Sequence, residues 1–306
     1  MAASAMCTRS CWNASIPRAG TPPEMTAYAY RILNVFSRAG RLTGNPLCVF
    51  EDGDGISDDD MQALARQFNL SETTFVLPSS KATARVRIFT PSYEMPFAGH
   101  PTLGTAHVVR DLRRCGDELK LEMKAGVIPV SAAGDRWTLE ANTPRGRAVP
   151  HSRAELAEML GLAESDMGEW PLWISAGREQ LMVPLKSVEA VRRVRPKADV
   201  FARLKSEDGQ SMAYVFFDDG REVEARFFFP SGPAILEDPA TGSACANLGG
   251  WFSVIQPRIP IARSVSQGEA VKRPSTLFLN VEWQESNPRI FVGGDVIELA
   301  RGTLDL

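Results

Sequence analysis

The feature that most constrains this chain is an internal repeat. Arg87-Ile-Phe89-Thr-Pro91 leads into Gly99-His100-Pro101-Thr102-Leu-Gly104-Thr-Ala106. After an offset of 139 positions, Arg226-Phe-Phe228-Phe-Pro230 leads into Asp238-Pro239-Ala-Thr241-Gly242-Ser243-Ala244. Arg to Thr spans fifteen positions in both copies, so the two align without a gap. Identities fall at Val76/Val215, Arg87/Arg226, Phe89/Phe228, Pro91/Pro230, Ser92/Ser231 and Thr102/Thr241. Each copy reads as a strand, a turn and a Gly/Thr/Ser cluster that opens an apolar helix. Such a helix start presents free N–H groups to an anion. Two of them on related halves point to one ligand held between two half-sites.

Strands wrapped around a mainly apolar helix, twice over, imply an α+β fold of two pseudo-symmetric domains and not a βαβ dinucleotide fold. With 306 residues there is chain enough for two cores. The expected division is a disordered tail over 1–27, a first domain over 28–143 and a second over 150–306. Pro144–Pro150 serves as linker, and the site lies in the cleft between the domains. Strands are expected at 28–36, 47–50, 73–77, 84–89, 119–123, 127–131 and 137–140. Later ones fall at 172–175, 181–184, 213–217, 222–229, 277–283 and 296–300. Ser57 and Ser152 head capping patterns for two surface helices. The central helices span 102–112 and 241–254.

Composition excludes several classes. A net charge of −3, with no basic stripe among aromatics, gives no reason to expect nucleic acid. No apolar run approaches the roughly 18 residues of a membrane span. Five irregularly spaced cysteines argue against a disulfide framework and for a reducing, cytoplasmic setting. Cys7 and Cys11 lack a second ligand pair, and the three histidines show no i, i+4 spacing, so no metal is expected. Residues 1–24 are rich in Ala, Ser and Pro and hold no acid before Glu24. A transit peptide is the alternative to a disordered start there. No dinucleotide fingerprint, P-loop or nucleophile elbow occurs, so the expected chemistry uses no cofactor.

The differences between the copies carry the chemistry. In the gapless alignment Glu72 falls opposite Ser211, and Asp238 opposite Gly99. Only one half presents a carboxylate at its strand start, which suits removal and return of a proton by one group. Flanked by Leu70, Phe75 and Val76, Glu72 is either buried, with a raised pKa fit for acid/base work, or a strand-start glutamate facing water. His100, between Gly99 and Pro101, either serves an anionic ligand and its proton or caps the loop. Asp238 either binds a substrate amine or hydroxyl, with Ser243 and the Gly242 N–H beside it, or caps the second helix. Glu237 is equally placed for that role, and Glu94 reads as a loop contact.

Four blocks then carry a resemblance: Thr43-Gly44-Asn45-Pro46, Asn69-Leu70-Ser71-Glu72-Thr73-Thr74-Phe75, Phe97-Ala98-Gly99-His100-Pro101-Thr102 and Glu237-Asp238-Pro239-Ala240-Thr241-Gly242-Ser243-Ala244. In this order they resemble the phenazine-biosynthesis PhzF family of isomerases, over roughly residues 28–306. The resemblance implies a diaminopimelate epimerase-like fold, homodimerisation and a small carboxylate-bearing substrate. It places the general acid/base on Glu72, with His100 and Asp238 as further catalytic groups. Ser243 would bind substrate, and Gly99 and Gly242 would donate N–H groups to its carboxylate. The family's type reaction isomerises trans-2,3-dihydro-3-hydroxyanthranilate. Related racemases use a cysteine at each helix start; here Cys245 has no partner, its aligned residue being Ala106. The competing readings are a binding protein without catalysis and an amino-acid racemase.

Overall fold

The computed structural model describes residues 26–256 and 258–306. Of the tail expected over 1–27, residues 1–25 lie outside the described residues, and with them Cys7 and Cys11.

Seven strands of the first half follow one another edge to edge: Ala27–Val35, Asn45–Phe50, Glu72–Leu77, Ala84–Phe89, Glu118–Met123, Gly126–Ala133 and Arg136–Glu140. The last strand of the chain, Asn287–Asp305, closes them into a ring. Its residues Phe291–Asp295 pair with Arg136–Glu140, and Val296–Asp305 pair with Ala27–Val35. The second half repeats the order with Leu172–Ser175, Glu179–Pro184, Ala213–Asp218, Glu222–Ser231, Ile261–Gln267, Ser275–Gln284 and the start of Asn287–Asp305. In both halves the second and third strands are parallel, as are the fourth and fifth, and the other pairings are antiparallel. This is the α+β arrangement that the repeat implies, and the diaminopimelate epimerase-like fold that the resemblance implies.

A helix runs through each half, Gly99–Arg113 in the first and Gly242–Ile255 in the second. Leu103, Ala106, Val108 and Val109 on the first, and Ala244, Cys245, Leu248 and Phe252 on the second, are fully buried against the surrounding strands. Each large aliphatic or aromatic side chain so enclosed contributes about 1.5–3 kcal/mol. This burial fixes the helix axes, and therefore where their first residues lie.

The segment expected as a linker is structured: Arg145–Ala148 forms a strand against Leu172–Ser175. Its Pro-rich flanks disguise a short edge strand, where proline is tolerated. The long closing strand also begins among second-half strands and ends on Ala27–Val35. A division into folding units at 28–143 and 150–306 is thus a proposal in which one strand serves both.

The structure also corrects the gapless alignment. Phe75 pairs with Arg87, whereas Val215 pairs with Arg226. The arginines are true counterparts: each stacks on the phenylalanine two residues on, at 5.0 Å over Phe89 and 4.8 Å over Phe228. Val215 therefore corresponds to Phe75 and not to Val76, and Glu72 corresponds to Met212 and not to Ser211. The hairpin between the strands is one residue shorter in the second half, which shifts everything before it by one. After the second strand, four extra residues precede the helix, so Gly99 corresponds to Gly242 and not to Asp238.

Candidate active site

The two central helices begin against one another. A β-carbon placed on Gly99 would lie 3.8 Å from Gly242 Cα, which brings the first turns into van der Waals contact. The preceding residues, Ala98 and Thr241, give no side-chain cap. Three surface helices differ: Ser57, Ser152 and Ser187 each accept a hydrogen bond from a first-turn N–H. The uncapped pair thus turns free N–H groups and two positive dipole ends toward one spot, an arrangement that favours an anion.

Glu72 opens its strand beside this junction, and His100 is the second residue of the first helix. Glu72 Oε2 and His100 Nε2 lie 3.3 Å apart, each nearly enclosed at 15 % and 7 % side-chain exposure. The separation is longer than a settled hydrogen bond, and neither atom has such a bond among the described residues. The backbone of Pro46 holds the imidazole. Proline offers only its carbonyl, so an imidazole N–H is the donor; Nε2 is unpartnered, so that donor is Nδ1. Burial pushes the imidazole down to about 3, which leaves it neutral with the Nε2 lone pair facing Glu72. Burial, with the charge of Asp238 second, pushes the Glu72 carboxyl up to about 8. The pair is therefore neutral at pH 7: a protonated acid against a free lone pair. Of the two environments open to Glu72 from sequence, it occupies the buried one.

Asp238 ends the strand Ala234–Asp238, three residues ahead of the helix cap position. Burial raises it to about 6, partly offset by hydrogen bonds. Asn45 Nδ2 donates to Oδ1 at 3.1 Å and Thr241 Oγ1 to Oδ2 at 2.5 Å. Gln267 Nε2 steadies the turn by donating to the Asp238 carbonyl at 2.8 Å. Asp238 therefore does not cap the helix N–H groups; it keeps an ionisable carboxylate beside Glu72. Glu237 is occupied elsewhere, gripped by Arg226 at 3.1 and 2.7 Å. Glu94 holds Arg87 in the same bidentate way, at 2.9 Å for both bonds. Both glutamates are structural.

Ser243 is the second residue of the second helix and so matches His100 in position; its Oγ accepts from Gln180 Nε2 at 3.1 Å. Glu72, His100, Asp238, Ser243, Gly99 and Gly242 thus gather around one junction. Sequence reasoning passed over Asn45, Thr241, Gln267 and Gln180. Asn45 is a buried amide next to the Gly44 turn in the Thr43–Pro46 block, the local signal for its role. A β-carbon on Gly44 would meet Val35 O at 2.4 Å, so glycine is needed for that turn. Cys245 is fully buried and its thiol is pushed far up, which disfavours a thiolate. His107 accepts from Trp137 Nε1 at 3.3 Å, a packing role. Among the described residues no cluster of His, Cys, Asp and Glu is fit to hold a metal, and no helix is long and apolar enough to cross a membrane. Two surface hollows of about 390 and 360 Å³ lie away from the junction, one beside Arg31 and Arg114, the other beside Lys120 and Phe291.

Comparison with known proteins identifies the family and the fold. An isomerase of Pasteurella multocida is 37 % identical over 283 residues, covering 92 % of this chain and 95 % of the relative. Trans-2,3-dihydro-3-hydroxyanthranilate isomerase of Pseudomonas chlororaphis is 34 % identical, covering 90 % and 99 %. The fold matches the crystal structure of a PhzF-family phenazine biosynthesis protein of Bacillus anthracis with a TM-score of 0.83 at 24 % identity, over 92 % of this chain and 99 % of that one. The model of the PhzC-PhzF family, described as phenazine biosynthesis-like protein, matches residues 33–302. This chain belongs to the PhzC-PhzF family.

Proposed function

We propose that the protein is a cofactor-independent isomerase that moves a proton within a small carboxylate-bearing molecule, with Glu72 as general acid and base. The observation that carries this reading is the enclosed Glu72 carboxyl, set between the His100 lone pair and the Asp238 charge where two uncapped helices meet. The relatives named as isomerases, one of them for trans-2,3-dihydro-3-hydroxyanthranilate, support the reaction class.

The first-turn N–H groups at Gly99 and Gly242 hold the substrate carboxylate. Ionised Glu72 removes a proton from a carbon activated by neighbouring double bonds. The electron pair spreads through the π-system, and the N–H groups stabilise the negative charge. The protonated Glu72 then returns the proton at another carbon, so the product is an isomer of the substrate. His100 Nε2 steadies the proton on Glu72 between the two steps. Asp238 faces the substrate amine or hydroxyl and keeps the Glu72 carboxylate basic.

Replacing Glu72 with Gln tests this. Turnover should fall by about 10²–10⁴ while ligand affinity holds; retained turnover would exclude Glu72. Two-thiol racemisation lacks support, because Cys245 is deeply buried and no cysteine lies in the first helix. We propose a homodimer in the cytoplasm, which sedimentation and fractionation would check.

A further inference from the structure

We infer that Gln180 and Asn247 are positioning residues that direct the Ser243 hydroxyl hydrogen toward the cleft, so that the ligand presents an acceptor, a carboxylate oxygen, there. This rests on the proposed use of the cleft for a carboxylate, and it adds which side chain meets which ligand atom.

The chain of bonds starts from the backbone. Asn247 Oδ1 accepts from the Ala176 N–H at 2.7 Å, and Nδ2 donates to the Arg178 carbonyl at 2.9 Å. A flipped amide would set donor against donor and oxygen against oxygen, so its orientation is fixed. The second Nδ2 hydrogen goes to Gln180 Oε1 at 2.8 Å, which makes the Gln180 nitrogen the group facing Ser243. That nitrogen donates to Ser243 Oγ at 3.1 Å. Gln180 and Asn247 are each 1 % exposed, so water does not compete for these bonds. With its oxygen engaged as an acceptor, Ser243 must direct its own hydrogen elsewhere. No protein acceptor meets that hydrogen among the described residues, and Ser243 is only half-buried at the helix start.

The first half shows that the fold does not require this chain. Leu47 lies opposite Glu72 and Cys48 opposite Thr73, whereas Leu181 lies opposite Ala213, the counterpart of Thr73; Gln180, one residue before Leu181, therefore corresponds to Leu47. Gly104 and Asn247 are each the sixth residue of their helix. The first half thus fills the same two places with an apolar contact, in which a β-carbon on Gly104 would come within 2.5 Å of Leu47 Cδ2. A buried amide pair where its counterpart is Leu and Gly serves the side chain it holds, Ser243.

The test uses the full chain and two probes, 3-hydroxyanthranilate and 3-hydroxyanthranilamide, which exchange a carboxylate for a carboxamide. Calorimetric titration of the wild type should favour the acid by at least about tenfold, as a hydrogen bond to a charged group would give. Gln180→Leu, which installs the residue of the first half, should shrink that preference about tenfold. Gln180→Glu, which accepts the Ser243 hydrogen, should move the preference toward the amide. Should the Leu variant fail to fold, Gln180→Glu carries the comparison, and Ser243→Ala should lower affinity for the acid more than for the amide. An unchanged acid-to-amide ratio in the variants, or a wild type that prefers the amide or binds neither probe, would overturn the assignment. The ratio is read at equilibrium without turnover. An inactive wild type with the preference intact would therefore strike the isomerase reading alone.

Discussion

Gly99 and Gly242, in equivalent positions of the two halves, approach so closely that a β-carbon on the first would stand 3.8 Å from Cα of the second. That distance is ordinary van der Waals contact, so alanine at 99 fits without strain, yet its methyl group takes up space between the helix starts. Gly99→Ala should leave the melting temperature within a few degrees of wild type. Its affinity for 3-hydroxyanthranilate should fall at least about tenfold. Calorimetry on the two proteins checks both. Unaltered affinity would remove the helix junction as the carboxylate site.

The pH dependence follows from the Glu72–His100–Asp238 environment. The imidazole is neutral throughout the working range, so it adds no limb of its own. Glu72 must be ionised to remove a proton, and it ionises at about 8. With the isomerised substrate in hand, kcat/KM should climb tenfold per pH unit below that value and level off above it. Below about 6, where Asp238 also takes up a proton, the climb should steepen. A profile that falls between pH 6 and 9 would mean that Glu72 acts first as an acid.

The same burial has a consequence for stability. Glu72 binds its proton more tightly in the folded protein, at about 8, than at its ordinary 4.5. Its contribution is therefore fully present below pH 4.5 and is lost as pH rises toward 8, where the unfolded chain alone can ionise freely. Glu72→Gln escapes that loss. Since a tenfold change in proton affinity is worth about 1.4 kcal/mol, the variant should melt several degrees above wild type at pH 8.5. At pH 4.5 the two should melt alike. Thermal unfolding at the two pH values gives the answer, and equal melting at both would contradict burial of Glu72.

Asn45 supplies one of the two side-chain hydrogen bonds that hold Asp238 ionised. Asn45→Ala should raise the Asp238 pKa and move the steep acid limb of the activity profile to higher pH. It should also cost about 1–3 kcal/mol in denaturant unfolding, because a buried carboxylate loses a donor. A stability loss with an unmoved acid limb would leave Asn45 a purely structural residue.

Much of this was legible in the sequence because the signals were local. Ser152 with Glu155 forms the expected capping box, and Gly161 ends that helix in the left-handed region. The strand Leu172–Ser175 has its expected bounds. The repeat was visible in Arg87 and Arg226 because each must stack on a phenylalanine and clamp a glutamate. What escaped was set by partners distant in sequence. The one-residue offset that makes Met212 the counterpart of Glu72 appears only in strand register. Arg145–Ala148 is a strand because Leu172–Ser175 lies beside it. Gln180 gains meaning only through Asn247, 67 positions away. The closing strand pairs with residues near the opposite end of the chain, which no local pattern announces.

The proton-transfer role of Glu72 is tested most directly by incubating wild type and Glu72→Gln with trans-2,3-dihydro-3-hydroxyanthranilate and following isomer formation by NMR. Affinity for 3-hydroxyanthranilate is measured in parallel. Isomer should form with the wild type and slow by about 10²–10⁴ in the variant, with affinity kept within a few-fold. Isomer formation by Glu72→Gln within tenfold of the wild-type rate would contradict it.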